Sequence, residues 1–377
     1  MARFEGGDGS PESPEFLEGY DGHEWSATWK SVPVKIAAAG VLALALAAIG
    51  FYLGHLRDPS QAKVAGDVVV VAMPGGRPTG AAFAADSVWV TTWDGFVVRV
   101  DPRTRKVVAR VAVGQAPLAA QSGFGSVWVT NSADGTVTRL DPEDNSVLAT
   151  IPVGPVPFQL AVAGGGMWVA SQNAAVKIDP GTDQVALRVP YPGNAKIPTT
   201  GGVGLDADER AVWVSTAVGT VLRLRPDNGR LVATIRVLPD KVTSPGQVAI
   251  DGDHVWVSSW ARDRGVGPAA GQPRLGKTVG VVDIDASTNQ IVRRVPSAGY
   301  PVSGMLPRHG SLYMVGGYDP NHTSVLIRAD WPYQVLTSVR PVGGNSFDVV
   351  AANESLWIPS WEEHALYVLP DVDGATG

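Results

Sequence analysis

SVWVTNSADGTVTRLDPEDNSVLATIPV, residues 126–153, reads as three strands joined by two turns. Ser126–Thr130 is a strand centred on Trp128, and Ser132-Ala133-Asp134-Gly135 turns the chain. Thr136–Leu140 alternates polar and apolar residues, Asp141-Pro142-Glu143-Asp144-Asn145 turns it again, and Val147–Val153 completes the phrase. Just upstream, Leu118–Gln121 and the turn Gly123-Phe124-Gly125 add an inner strand. Short runs rich in Val, Thr and aromatics, punctuated by Gly, Asp and Pro, mark strands and turns. The phrase returns seven times, anchored at Trp89, Trp128, Trp168, Trp213, Trp256, Tyr313 and Trp357, with spacings of 39, 40, 45, 43, 57 and 44 residues. Four strands in forty-odd residues make one propeller blade, so the period implies seven small sheets rather than one large core.

The ends of the repeat show how such a ring closes. Asp67–Gly76 reads like the fourth strand Val107–Gly114, whereas the last repeat runs out after its third strand near Tyr367–Pro370. Residues 67–73 are therefore expected to supply the outer strand of blade seven, removing open sheet edges. The reading is an all-β, seven-bladed β-propeller ectodomain over residues 67–371, preceded by a single transmembrane α-helix and followed by a tail at 372–377. Six of the twelve tryptophans are anchors and read as packing between blades. The recurrent Asp-Pro at Asp101, Asp141 and Asp179 reads as turn chemistry rather than a metal or acid site.

Trp128-Val129-Thr130-Asn131, with the outer-strand phrases Ala149–Gly154 and Ala233–Val237, resembles the YVTN-type bacterial propeller repeat. The resemblance covers the ectodomain. The chain is similar, more distantly, to the virginiamycin B lyase group of seven-bladed propellers. Both likenesses imply the fold. No His and Glu spacing matches the lyase's catalytic residues, so its chemistry is not carried over.

Ahead of the repeats, Ile36–Leu53 is an uncharged apolar run of eighteen residues. As a helix it spans about 27 Å, close to the hydrocarbon thickness of a bilayer. Residues 34–56 are expected to form the membrane helix, acting as an uncleaved signal anchor, with 57–66 as linker. Residues 1–33 carry seven acidic residues among many Gly, Ser and Pro and read as a disordered cytoplasmic tail. Arg3, Lys30 and Lys35 before the run, against Arg57 and Lys63 after it, give a small preference for that orientation. The expected location is thus the cell membrane, single-pass, with the propeller extracytoplasmic. The absence of cysteine excludes an acylated lipoprotein anchor and fits export without demonstrating it.

The net charge of −6 arises largely in the tail, and no basic stripe appears, which argues against nucleic acid as a partner. Loops between second and third strands gather on one face of a propeller. Four residues past each anchor lie Trp93, Ser132, Gln172, Ala217, Trp260, Gly317 and Trp361, with Tyr318 next in blade six. This places an aromatic crescent over blades five, six, seven and one, accompanied by Asp94, Asp263, Asp319, Glu362 and Glu363. Two readings stand open: exposed anchors for a partner, or an extension of the packing between blades. On the first, Trp93, Trp260, Tyr318 and Trp361 are apolar contacts and Glu362 a polar one. Asn131 and Gln172 would line the opposite rim. The expected partner is an envelope protein, peptide or glycan.

Catalytic signals are sparse. His254 and His309 fall in turns on the other face, while His322 and His364 fall in adjacent second-to-third strand loops near Asp319, Glu362 and Glu363. They frame the alternative of a lyase-like enzyme using a divalent metal on a cyclic or ester-bearing small molecule. No Gly-x-Ser-x-Gly elbow is present. The long loop at 261–278 is rich in Gly, Pro and Arg but lacks the spacing of a phosphate loop. The preferred function is a noncatalytic binding or scaffold module, with no cofactor and no metal.

Overall fold

Alternating small and β-branched residues, broken at regular intervals by Gly, Asp and Pro, draw the chain into the same four-stranded meander seven times. A computed structural model describes residues 68–192, 204–216, 218–238, 243–261, 280–297, 301–316, 323–330 and 335–370. Among them are twenty-eight strands, β1 to β28 in chain order, arranged as seven four-stranded antiparallel sheets. The expected tail, membrane helix and linker at 1–66 lie outside the described residues, as does the C-terminal tail. No helix among the described residues is long and apolar enough to cross a membrane.

Blade one is β2 (Pro78–Ala84), β3 (Ser87–Thr92), β4 (Phe96–Asp101) and β5 (Lys106–Ala112). Blade two is β6 (Pro117–Gly123), β7 (Ser126–Asn131), β8 (Thr136–Leu140) and β9 (Val147–Pro152), close to the boundaries read from the sequence. Every residue of β3 and β7 is buried, because neighbouring blades cover both faces of a second strand. The outer strand β5 alternates between exposed and half-buried, while β9 is exposed along most of its length and buries Ile151. In blades one to six a bulge interrupts the pairing of the third and fourth strands, and at Val108, Leu148, Ala186, Val232 and Val292 the unpaired residue is exposed. Such bulges twist an outer edge away from pairing with another chain.

The ring closes as the repeat pattern requires. β1 (Val69–Ala72) pairs antiparallel with β28 (Ala365–Pro370), matching Val69 with Val368 and Ala72 with Ala365. With β26 (Val350–Ala352) and β27 (Ser355–Ser360) they make blade seven, whose outer strand comes from the amino-terminal side of the domain. Val69 therefore enters the ring on the face that carries the Asp-Pro turns, beside the chain's exit at Pro370.

The apolar core is divided into seven clusters, one for each pair of neighbouring blades. All seven anchors are fully buried in them. Trp128, Val137 and Ile151 pack on Met167, Val169 and Val176 of the next blade. The closing cluster joins Val71, Met73 and Trp357 to Val88, Val90 and Val98 of blade one. Near the ring axis the backbones approach so closely that a Cβ on Gly80 would strike Leu118 O, and one on Gly204 would strike Val248 N.

Polar devices repeat across the same seams. Opposite the anchor on the third strand sits Arg99, Arg139, Lys177 or Arg223 in blades one to four. The guanidiniums of Arg99, Arg139 and Arg223 lie 5.2, 5.0 and 5.1 Å from the centres of the Trp89, Trp128 and Trp213 rings. Each cation then donates to a carbonyl in the following blade's turn: Pro142, Pro180, Pro226 and Ala286. Stacking plus a charge-assisted hydrogen bond thus clamps one blade to the next. In blade five the equivalent residue is Asp283, wholly buried and held by His254 and Arg293. Two residues past the anchor, the hydroxyls of Thr91, Thr130 and Ser215 donate to Leu118 O, Phe158 O and Gly246 O across the seam.

The Asp-Pro carboxylates do turn work. Asp101 accepts from Arg103 N and Thr104 N, and Asp179 from Gly181 N and Thr182 N, which holds both below the usual carboxylate range. Asp206 and Asp348 behave oppositely. Asp206 accepts from Ala207 N and, across a seam, Ile250 N; Asp348 accepts from Val349 N and, across another, Ala81 N. Both keep some accessible surface, yet protein surrounds them, and burial pushes their pKa up to about 7 and about 6. A raised folded-state pKa gives stability that is full below the unfolded value and lost as pH rises through the folded one. The depressed turn carboxylates give the reverse, losing their contribution as pH falls below about 4. The melting temperature should therefore climb as pH is lowered from about 8 to about 5, then fall below about 4. Scanning calorimetry across that range checks it; a flat or rising profile from about 5 to 8 would remove the role of these two groups.

Candidate recognition face

The second-to-third strand loops and the loops joining blades share one face. In blade one, Gly95 adopts φ +97° and its N–H donates to Thr92 O, so the sheet alternation stops at Thr92. Trp93 N–H donates to Arg77 O at 2.9 Å, and the indole swings outward. Trp93 is 45% exposed whereas Trp89, four residues earlier, is fully buried. Trp93 thus lies at the surface, outside the buried clusters that join the blades.

Blade seven supplies the partner ring. Trp361, half-buried, follows β27 directly, and Glu362 N–H donates to Gly344 O. The Trp93 and Trp361 rings meet edge to face, 5.4 Å apart at 64°. Phe347 stands perpendicular to Trp361, at 6.0 Å and 89°, and the Arg77 guanidinium lies 5.2 Å from the centre of the Trp361 ring. Around these rings the carboxylates are engaged. Asp94 pairs with Arg110 at 2.7 Å, Glu362 accepts from Asn345 Nδ2 at 2.6 Å, and Glu363 accepts from Gly344 N at 2.7 Å and contacts Ser360 Oγ. Gln247 ties the cluster to the ring interior, donating to Phe347 O and accepting from Met305 N.

The structure therefore brings together Trp93, Trp361 and Glu362 from the expected set. Trp260 lies at the end of β19 (His254–Ala261), where its backbone pairs with Ser244; its side chain and all of Tyr318 lie outside the described residues. So do most of the 261–278 loop and His322. Gln172 is half-buried on the rim of blade three, with its N–H on Pro155 O. Asn131 is placed differently from the rim position expected of it. It is fully buried, donating to Thr136 and Thr138 hydroxyls and accepting from Gly114 N. As the last residue of β7 it still lies within the sheet, filling space that Gly114, lacking a Cβ, leaves open.

Arg77, Phe347 and Asn345 were not among the expected residues. All three come from loops between blades, outside the repeat phrase, so a search four residues past each anchor misses them. A signal existed in Pro74-Gly75-Gly76-Arg77, where a tight loop must pass beside Asp94: a Cβ on Gly76 would collide with that carboxylate. His364 is exposed at φ 51°. Among the described residues no group of three His, Asp or Glu side chains converges as metal ligands.

No protein-family model matches the sequence, and no curated protein matches it. Solved structures do match. Hydrazine synthase of Kuenenia stuttgartiensis shares 18% identity over 82% of this chain and 99% of that one, with a TM-score of 0.64. The WD40 domain of Neurospora crassa Pan2 shares 13% over 81% and 96%, with a TM-score of 0.62. The computationally designed Ika8 protein shares 12% over 79% and 98%, with a TM-score of 0.54. At these identities the likeness shows the fold alone: the chain carries a seven-bladed β-propeller.

Proposed function

We propose that this protein is a membrane-anchored, extracytoplasmic propeller of the YVTN-repeat kind, serving as a noncatalytic binding or scaffold module at the cell envelope. The observation that carries the reading is the exposed Trp93 beside Trp361 on the face of the second-to-third strand loops. A large aromatic costs free energy when left in water, and Trp dominates the centres of protein interfaces. The partner class is an envelope protein, peptide or glycan. The apolar run Ile36–Leu53 supports the anchor. Val69, the first residue of β1, lies on the face opposite the aromatic cluster.

Co-purification from native membranes tests the reading. Wild type should retain a partner that the Trp93→Ala/Trp361→Ala variant loses while its circular dichroism and melting stay close to wild type. A folded double variant that retains the same partner would refute it.

A further inference from the structure

Resting on that reading, we propose that the Arg77–Trp361–Trp93 corner takes a single carboxylate carried beside an aromatic or bulky aliphatic side chain of a peptide partner.

Arg77 is the feature that points there. Asp94 and Arg110 neutralise each other, whereas Glu362 and Glu363 are met only by the neutral groups Asn345 Nδ2, Gly344 N and Ser360 Oγ. Arg77 is exposed, and no carboxylate lies within ion-pair distance of it among the described residues. Its guanidinium carbon lies 5.2 Å from the centre of the Trp361 ring. A guanidinium carries a planar fork of N–H donors that matches a carboxylate with two parallel hydrogen bonds. An arginine already ordered by stacking loses less entropy on binding than a free one.

Ring geometry selects the rest of the ligand. Trp93 and Phe347 both stand steeply to Trp361, at 64° and 89°, so the rings form walls rather than a flat platform. A pyranose stacks on an open indole face, and Arg77 already lies over Trp361. A side chain entering the corner meets ring faces and edges at the spacing aromatic contacts favour. The neighbouring carboxylates limit the ligand to one charge: a run of acidic residues would meet repulsion from Glu362 and Glu363.

Ligand-observed NMR with full-length protein in detergent tests this with defined probes: acetyl-Asp-Phe-amide, acetyl-Asn-Phe-amide, an acetylated tetra-Asp amide and indole-3-acetate. The expected result is binding of the Asp-Phe probe, with the Asn-Phe probe about 10-fold or more weaker, as expected for loss of a charge-assisted hydrogen bond. Tetra-Asp should bind no better than Asp-Phe. Arg77→Gln should abolish the Asp-over-Asn preference, and Trp93→Ala should weaken both dipeptides. Equal binding of Asp-Phe and Asn-Phe, a preference surviving Arg77→Gln, or no binding of Asp-Phe would overturn the proposal. Binding of indole-3-acetate alone would overturn the peptide assignment in favour of a small aryl acid. If Trp93→Ala/Trp361→Ala loses the native partner while Arg77→Gln keeps it undiminished, the binding reading stands and this charge assignment fails.

Discussion

Deleting Val69–Ala72 should make the propeller aggregate. Four residues are a small loss in length but a large one in topology. β1 supplies the outer strand of blade seven, and without it the edge of β28 is unpaired along its length. Unpaired edges template association with other chains. The deletion also removes Val71, and Met73 loses its N–H bond to His364 O; both side chains are buried in the cluster that closes the ring. Burying such a side chain contributes about 1.5–3 kcal/mol. Two together contribute about 3–6 kcal/mol, comparable with the lower end of the stability of an ordinary domain, about 5–15 kcal/mol. Size-exclusion chromatography and urea melts of the truncated chain check the outcome. A monomeric truncation with an unchanged midpoint would contradict the closure.

Trp128→Ala should destabilise the fold by about 3–5 kcal/mol, while Trp93→Ala should cost only about 1 kcal/mol, the scale of its edge-to-face contact. Trp128 is fully buried, donates its Nε1–H to Gly123 O, and is the surface on which Arg139 rests before reaching Pro180 O and Asp183 in the next blade. Removing it leaves a cavity and unseats the clamp. Trp93 contacts Trp361 at the surface and anchors no seam cluster. Urea unfolding at equilibrium reads both variants on one scale. Similar losses for the two would mean that Trp93 is part of the packing after all.

Much of this contrast is visible before any coordinates. A strong period and a buried aromatic at a fixed place are local signals repeated seven times, and the Asp-Pro turn recurs in three of the blades. Closure through residues 67–73 could be read because a fourth strand stood ahead of the first repeat and one was missing after the last; the paired strand is Val69–Ala72. The seam chemistry was harder to read. Arg99 or Arg139 looks like an ordinary polar residue of an alternating strand, and only the register opposite Trp89 or Trp128 shows that it spans to the next blade. Site residues divide the same way. Trp93 and Trp361 occupy corresponding places in the repeat, so counting finds them. Arg77 and Phe347 sit in loops between blades, where no periodicity operates. Asn131 ends β7, and its amide is held inside the hairpin by the Thr136 and Thr138 hydroxyls, with Ser132 after it buried as well.

Site-specific photocrosslinking tests the proposed recognition face most directly. A benzoylphenylalanine at position 93, and another at 108 on the outer strand of the same blade, would be irradiated in native membranes; both wild-type residues are exposed. A discrete crosslinked partner from position 93 and none from 108 is the result this account expects. A partner captured from 108 but not from 93 would place recognition on the outer edge of the ring and contradict it.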